Sequence, residues 1–323
     1  PNQIPECDFI VATTPDEVMA GVSSGKAKKK VVHLCQGFEV EDLEERIQGK
    51  ILPSRYQGNG FFKKLTHARK KLEWKKRIAE LNKIYSLDTL LIVISQHLKN
   101  AIEKRYSRKA ELCRYGVKKQ FFFPSSNPIK NTFSKDSPCR IINIGPVSVT
   151  FKGIPDTLEA IRILKGKGLP IHFIRVSPDE KKDEDISAAQ IIDEYYQALS
   201  PQELGNLLRT CDIYISNSLE GEGFGLPAME AMSCGLICVL SSISSYLDFD
   251  PIHDYAIFVP ERMPQATANA VEKILSMPLN EKQNMIQRAI EVSEKYSFDK
   301  TLEQLRDIIL RSAGCFKSVQ PKK

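Results

Sequence analysis

Two glutamates with seven residues between them, Glu222 and Glu230, bracket a glycine-rich turn, Gly221-Glu222-Gly223-Phe224-Gly225, inside CDIYISNSLEGEGFGLPAMEAMSCGLICVLSS, the stretch from Cys211 to Ser242. Glycines let a backbone approach a ligand closely and take up positive φ. Pro227 suits the first position of a helix, where its missing N–H would be unpaired in any case, and Gly235 suits the end of that helix. A helix start directs unpaired N–H groups and a positive dipole end outward, which favours a phosphate. Carboxylates beside a phosphate would repel it, so Glu222 and Glu230 are better suited to accept hydrogen bonds from hydroxyls. One anionic diphosphate flanked by two polyols, a sugar nucleotide, meets both demands.

The elements needed to position these groups are legible around them. Ile213-Tyr214-Ile215 and Leu236 to Leu240 are apolar runs of strand length, and Pro227 to Cys234 is helix-like. Strand, glycine turn, helix and strand form the repeating unit of a parallel α/β sheet. Ligands in such sheets bind in the crevice at the carboxyl ends of the strands. Further strands are expected at 9–13, 31–36, 90–95, 111–116, 140–144, 171–176 and 256–260. Helices are expected near 15–23, 96–105, 154–165, 264–276, 280–295 and 299–312. Ser200 with Glu203 reads as a capping box opening another helix. Lys26 to Lys30 reads as a basic turn, and residues 41–58 as loop with one short helix.

EGFGLPAMEAMSCG resembles the donor-site signature of family 4 of the retaining glycosyltransferases, whose members have the GT-B fold. The resemblance implies that Glu222 contacts hydroxyls of the donor sugar and that Glu230 holds the nucleotide ribose. Gly223, Phe224, Gly225, Leu226 and Pro227 would line the donor, with the Gly225 and Leu226 amides on sugar hydroxyls and phosphate. CRIINIGPVSVTFKG resembles the family's diphosphate loop, which makes Lys152 the expected diphosphate ligand, with Gly145 in the same loop. Pro146 stands where the family has an arginine. Arg175, Leu199 and Leu204 join the donor site on the same resemblance, the connection at 195–204 lying against the nucleotide base. At the end of the 31–36 strand the family often has a histidine facing the donor sugar. Gln36 occupies that place here. His33 lies on the opposite strand face and reads as a core histidine.

The 323 residues allow two domains, and a hydrophobic content of 42% supports ordinary cores. The fold class expected is α/β, GT-B, with two Rossmann-like domains and a donor cleft between them. The expected division is 1–124 as acceptor-side domain, with its first strands missing, 125–138 as linker, 139–296 as donor domain, and 297–323 as returning helix and tail. The cysteines are scattered with no CxxC pair, which argues against structural zinc and for reduced thiols in a cytosol. No run approaches the ~20 apolar residues of a membrane span.

Charge is uneven. Residues 1–137 carry 26 Lys+Arg and 15 Asp+Glu, and residues 138–323 carry 20 and 25, summing to the net +6 of the chain. The first part therefore faces something anionic. Phe61 to Arg77 holds eight basic residues in seventeen, with Leu65, Leu72 and Ala79 at seven-residue spacing and Trp74 nearby. It reads as a helix able to contact a membrane surface. Nucleic acid is set aside because no matching motif accompanies the charge.

The function expected is transfer of a hexose, with retention, from a nucleoside diphosphate sugar to a hydroxyl acceptor on a lipid-linked or cell-surface glycan intermediate. It would occur in the cytoplasm, at the inner membrane face, without a metal or other cofactor. The alternative is a non-catalytic partner subunit that keeps the fold.

Overall fold

The computed structural model describes residues 3–49, 61–126, 129–180 and 188–314. The chain divides into two units, Pro1–Arg114 with Thr301–Lys323, and Tyr115–Lys300.

In the first unit, β1 (Cys7–Ala12), β2 (Ala27–Cys35), β3 (Leu90–Val93) and β4 (Glu111–Leu112) form a parallel sheet in that order. Helices α1 (Pro15–Ser24), α2 (Glu39–Gln48), α3 (Phe61–Tyr85) and α4 (Gln96–Tyr106) fill the connections. The start of α1 is fixed locally. The Thr14 side chain accepts from the Glu17 amide, and the Glu17 carboxylate accepts from the Thr14 amide at 3.0 Å, a reciprocal capping box. Val32, Ile92 and Cys113 form a core closed by Ile308 of the last helix, so residues from Thr301 onward belong here.

Three expectations are corrected in this unit. Lys28 to Lys30 are not a turn but the first half of β2, paired to β1 with Phe9 opposite Lys30. Strand pairing overrides the charge because the lysine stems reach water: Lys30 meets Asp88 at 2.7 Å, and Lys29 lies over the Phe9 ring. The strand expected to reach residue 116 stops at Leu112, and Val117 instead bridges to Ser297 in the second unit. The third concerns α3. Among its described side chains Trp74, Leu81, Ile84 and Tyr85 are buried, whereas Leu72 is 58% exposed and Ala79 is exposed. The seven-residue stripe lies off the packed face, whose described row follows 74, 81, 84 and 85. Trp74 is consequently not a surface anchor. The side chains of Phe61 to His67, including Leu65, lie outside the described residues, as does the 50–60 stretch. His33 is buried against Tyr85, with ring centroids 5.2 Å apart, and burial lowers its pKa to about 4, as suits a neutral core histidine.

In the second unit, β5 (Cys139–Ile144), β6 (Ile171–Ser177), β7 (Glu194–Gln197), β8 (Ile213–Ser216), β9 (Ile237–Ser241) and β10 (Ile257–Val259) pair in parallel in the order β10-β9-β8-β5-β6-β7. The helices are α5 (Ile154–Gly166), α6 (Pro201–Leu208), α7 (Leu226–Ser233), α8 (Ser244–Leu247), α9 (Pro264–Ser276) and α10 (Leu279–Glu294); α11 (Phe298–Ser312) begins here and from Thr301 belongs to the first unit. Strands β5, β6, β8 and β9 read as near-continuous apolar runs because both faces are covered. The edge strand β7, Glu-Tyr-Tyr-Gln, is half-exposed and carries no such run, which hid it from the sequence reading.

Chain order reverses between β5 and β8. Successive strands run outward from β5 to β6 and β7 on one side, and from β8 to β9 and β10 on the other. This is the topological switch point, where an open α/β sheet leaves a crevice beyond its carboxyl ends. The β5–β8 ladder pairs only Ile141 with Ile213 and Ile142 with Tyr214. Beyond it the Asn143 side chain takes over, its Nδ2 donating to Ile215 O at 2.8 Å. Residues 115–124 also pack on this unit: Lys119 Nζ donates to Ser233 and Ser293, and Arg209 donates to Phe121 O. Ile129 and Phe133 lie against the main core, and the buried Lys282 ammonium holds Asn131 O at 2.9 Å.

Candidate functional site

The loops that follow β5 and β8, on either side of the switch point, carry the residues singled out by their chemistry. After β5 the chain turns at Gly145 and runs through a 3-10 turn, Thr150–Lys152, into α5. Gly153 joins them at φ 59°, and a Cβ there would fall 1.8 Å from Asn217 O. The two loops therefore touch backbone to backbone, and the Leu219 amide donates to Phe151 O at 2.7 Å. Asn217 is fully buried and tied on both sides, accepting from Thr157 Oγ1 at 2.9 Å and donating to Thr267 Oγ1 at 2.7 Å.

This contact brings Lys152 and Glu222 together. Lys152 Nζ lies 2.7 Å from Glu222 Oε2, and the side chains are 17% and 8% exposed. Taking such a pair out of water costs about as much as its attraction returns, so it is weak evidence of a stabilising role. Downstream, Gly225 caps α7 at φ 85°, with Pro227 in the first turn. The amides of Gly223, Phe224, Gly225 and Leu226 donate to no acceptor among the described residues. An ammonium, a carboxylate and a row of free amides can together grip an anion and a hydroxyl-bearing group side by side. Among the described residues, no group of three or more His, Cys, Asp or Glu side chains is arranged to hold a metal ion.

The sequence profile described as glycosyl transferases group 1 matches residues 126–292, more than half of the chain. The chain belongs to that family. A search of curated proteins matches none. Among solved structures, the Anabaena protein HepE, determined in complex with UDP-glucose, is 15% identical with a TM-score of 0.68, the match covering 94% of this chain and 79% of that one. Sucrose-phosphate synthase from Thermosynechococcus elongatus is 16% identical at a TM-score of 0.67, covering 94% and 73%. A glycosyltransferase from Rickettsia africae is 16% identical at 0.60, covering 94% and 97%. At these identities the likeness establishes the fold, which is GT-B.

The other expected site residues of this group 1 glycosyl transferase fall into distinct places. Glu230 lies in the second turn of α7, partly exposed yet densely surrounded, and burial pushes its carboxyl up to about 8. Phe224 offers only its backbone, because its ring is buried against Tyr115, Phe249 and Tyr296. Arg175 is fully buried beneath the first loop, donating to Asn143 Oδ1 at 2.6 Å and to Gly145 O at 2.9 Å. It braces the turn at Gly145 rather than presenting its guanidinium outward. Leu199 and Leu204 are half-buried around the start of α6, where Ser200 and Glu203 form the expected capping box. Gln36 belongs to the first unit, exposed just beyond β2. The sequence reading passed over Asn217, Ser218 and Tyr246. The polar run Ser216-Asn217-Ser218 closing an apolar strand was a usable signal; nothing in the sequence marked Tyr246.

Proposed function

We propose that the chain transfers a hexose from a nucleoside diphosphate sugar to a hydroxyl acceptor, with retention of configuration and without a divalent metal. The observation that carries this reading is the buried Lys152–Glu222 pair, continuous along the chain with the free amides at the start of α7. Lys152 and those amides would take the diphosphate and stabilise the charge that develops on it as the sugar leaves. Glu222 would accept from sugar hydroxyls and Glu230 from the ribose. The UDP-glucose complex of the Anabaena neighbour makes a UDP-sugar the first donor to try. Pro146 in place of an arginine leaves Lys152 as the loop's main cation, which is what favours the second reading, a donor-binding subunit without transfer.

The test is calorimetric titration with UDP, GDP, dTDP and ADP and a sugar derivative of each. One nucleotide should bind, and Glu230→Ala should lose it. The pH dependence has a definite sign. Glu230 is largely protonated in the free protein below pH 8, whereas a ribose diol demands the ionised form. Binding should therefore release a proton, and affinity should rise with pH up to about 8, by as much as about tenfold per unit. Glu230→Gln should abolish that slope. Its absence in the wild type would remove Glu230 from the ribose role.

We further propose that the first unit meets an anionic membrane through α3, where lipid-linked acceptors reside. The helix presents Arg69, Leu72, Lys75, Lys76 and Lys83 to solvent. Among the described residues, no helix is long and apolar enough to cross a membrane. Vesicles containing phosphatidylserine should sediment the protein, salt should release it, and reversing the four cations to glutamate should weaken partitioning at least about a hundredfold, at ~1 kcal/mol per charge. Equal binding to neutral vesicles would refute the contact.

A further inference from the structure

The Glu222 carboxylate has two oxygens, and the protein's own side chains converge on one. Oε2 accepts from Lys152 Nζ at 2.7 Å and from Ser218 Oγ at 3.2 Å, while Oε1 accepts from no described residue. Behind Ser218 stands a group of buried hydroxyls. Ser216 Oγ lies 3.0 Å from Ser218 Oγ and 2.7 Å from the Tyr246 hydroxyl, and Tyr246 donates to Ser218 at 3.1 Å. All three residues are buried, Tyr246 to 1% exposure. The buried Tyr214 side chain is hydrogen-bonded to Ser216 as well. Tyr246 donates to Ser218 and Ser218 donates to Glu222, so donation along this path runs toward the carboxylate.

Tyr246 is itself immobilised from several sides. Its carbonyl accepts from the buried Tyr255 hydroxyl at 2.6 Å, and its ring packs near Phe249. A Cβ on Gly225 would fall 2.2 Å from Tyr246 Cε1, so the ring lies directly against the glycine turn. Ser241 of β9 also donates to the Ser218 carbonyl. Burial and the nearby Glu222 carboxylate raise the phenol's pKa well beyond its ordinary range, so it remains a proton donor.

We infer that Tyr246 is a positioning residue for donor-sugar recognition: through Ser216 and Ser218 it fixes the rotation of the Glu222 carboxylate, holding Oε2 in the protein and leaving Oε1 to accept a sugar hydroxyl. The inference rests on the reading of the site proposed above. It assigns the hydroxyl group a ligand-selective role: sugar recognition depends on it, and diphosphate recognition does not. The diphosphate is gripped by Lys152 and the α7 amides, which the hydroxyls do not touch.

The experiment compares UDP with UDP-glucose, GDP with GDP-mannose, dTDP with dTDP-glucose and ADP with ADP-glucose by titration calorimetry, on wild type and variants. Tyr246→Phe keeps the ring and removes only the hydroxyl. It should leave diphosphate affinity within about twofold while weakening the matching nucleotide sugar at least about fivefold, the effect of losing one oriented hydrogen bond. Ser218→Ala should do the same, and Ser218→Thr, which restores a hydroxyl, should recover the wild-type ratio. In a Glu222→Ala background, adding Tyr246→Phe should change nothing further. Parallel loss of both ligands, an unchanged ratio, or an effect of Tyr246→Phe that persists without Glu222 would each overturn the inference. Wild-type protein silent to all four pairs would instead overturn the functional reading beneath it.

Discussion

Lys152→Ala is expected to lower the melting temperature by roughly 10 °C and transfer by about 10²–10³-fold, and the two losses should separate in a double variant. The stability loss arises from what is left behind. With Lys152 gone, the Glu222 carboxylate, whose side chain is 8% exposed, keeps only a serine hydroxyl on its occupied oxygen. An uncompensated buried charge costs about 3–5 kcal/mol, and for a domain of this size each kcal/mol shifts melting by ~2–4 °C. Adding Glu222→Gln removes the stranded charge, so the double variant should regain most of the stability. It should not regain transfer, because the diphosphate still lacks its ammonium. Differential scanning calorimetry alongside a donor-consumption assay reads both quantities. A Lys152→Ala protein that melts like wild type would show that the pair is not shielded as described; a double variant that recovers transfer would remove Lys152 from the chemistry.

Gly153→Ala and Gly166→Ala, at opposite ends of α5, are expected to behave as opposites. At Gly153 the backbone has φ 59°, and a Cβ would meet the Asn217 carbonyl at 1.8 Å and its carbon at 2.6 Å. Neither atom can rotate away, because both are main chain at the meeting of the two site loops. The positive φ alone costs about 1–2 kcal/mol, and relieving the overlap must push the loops apart, separating Lys152 from Glu222. Loss of donor binding together with a melting drop of more than roughly 10 °C is the expected result. At Gly166 a Cβ meets nothing within 4 Å. Alanine there should be neutral or stabilise by about 0.4–1 kcal/mol, by restricting the unfolded chain. Similar melting curves for the two variants would contradict the close approach at Gly153.

How much of this was legible in the residues depends on whether the signal was local. Strands β5, β6, β8 and β9 announced themselves because burial on both faces demands uninterrupted apolar runs. The capping box at Ser200 and Glu203 and the helix that begins beside Pro227 were legible because each is written within a few residues. Glu222 and Glu230 stood out by their spacing about a glycine turn. What stayed hidden was decided by partners distant in sequence. Lys28 to Lys30 became strand only because β1 lies alongside. The buried face of α3 was set by what it packs on, and a seven-residue stripe could not reveal that. Arg175 resembled a ligand until Asn143 and the Gly145 carbonyl claimed its guanidinium. Tyr246 reaches Ser216 and Ser218 across about thirty positions of chain, a relation that no single-residue property encodes.

The brevity of the β5–β8 ladder bears on how the two sides of the site are joined. Where β5 and β6 exchange bonds along their whole length, β5 and β8 pair over two positions, with Asp212 bonded to Arg140 before them and the Asn143 side chain after them. A ligand that enters here need not break a long run of main-chain bonds to widen or narrow the gap. The seam is thus the most sparsely laddered line beneath the site, and Lys152 and Glu222 stand on its two sides, joined there by the contact of their loops.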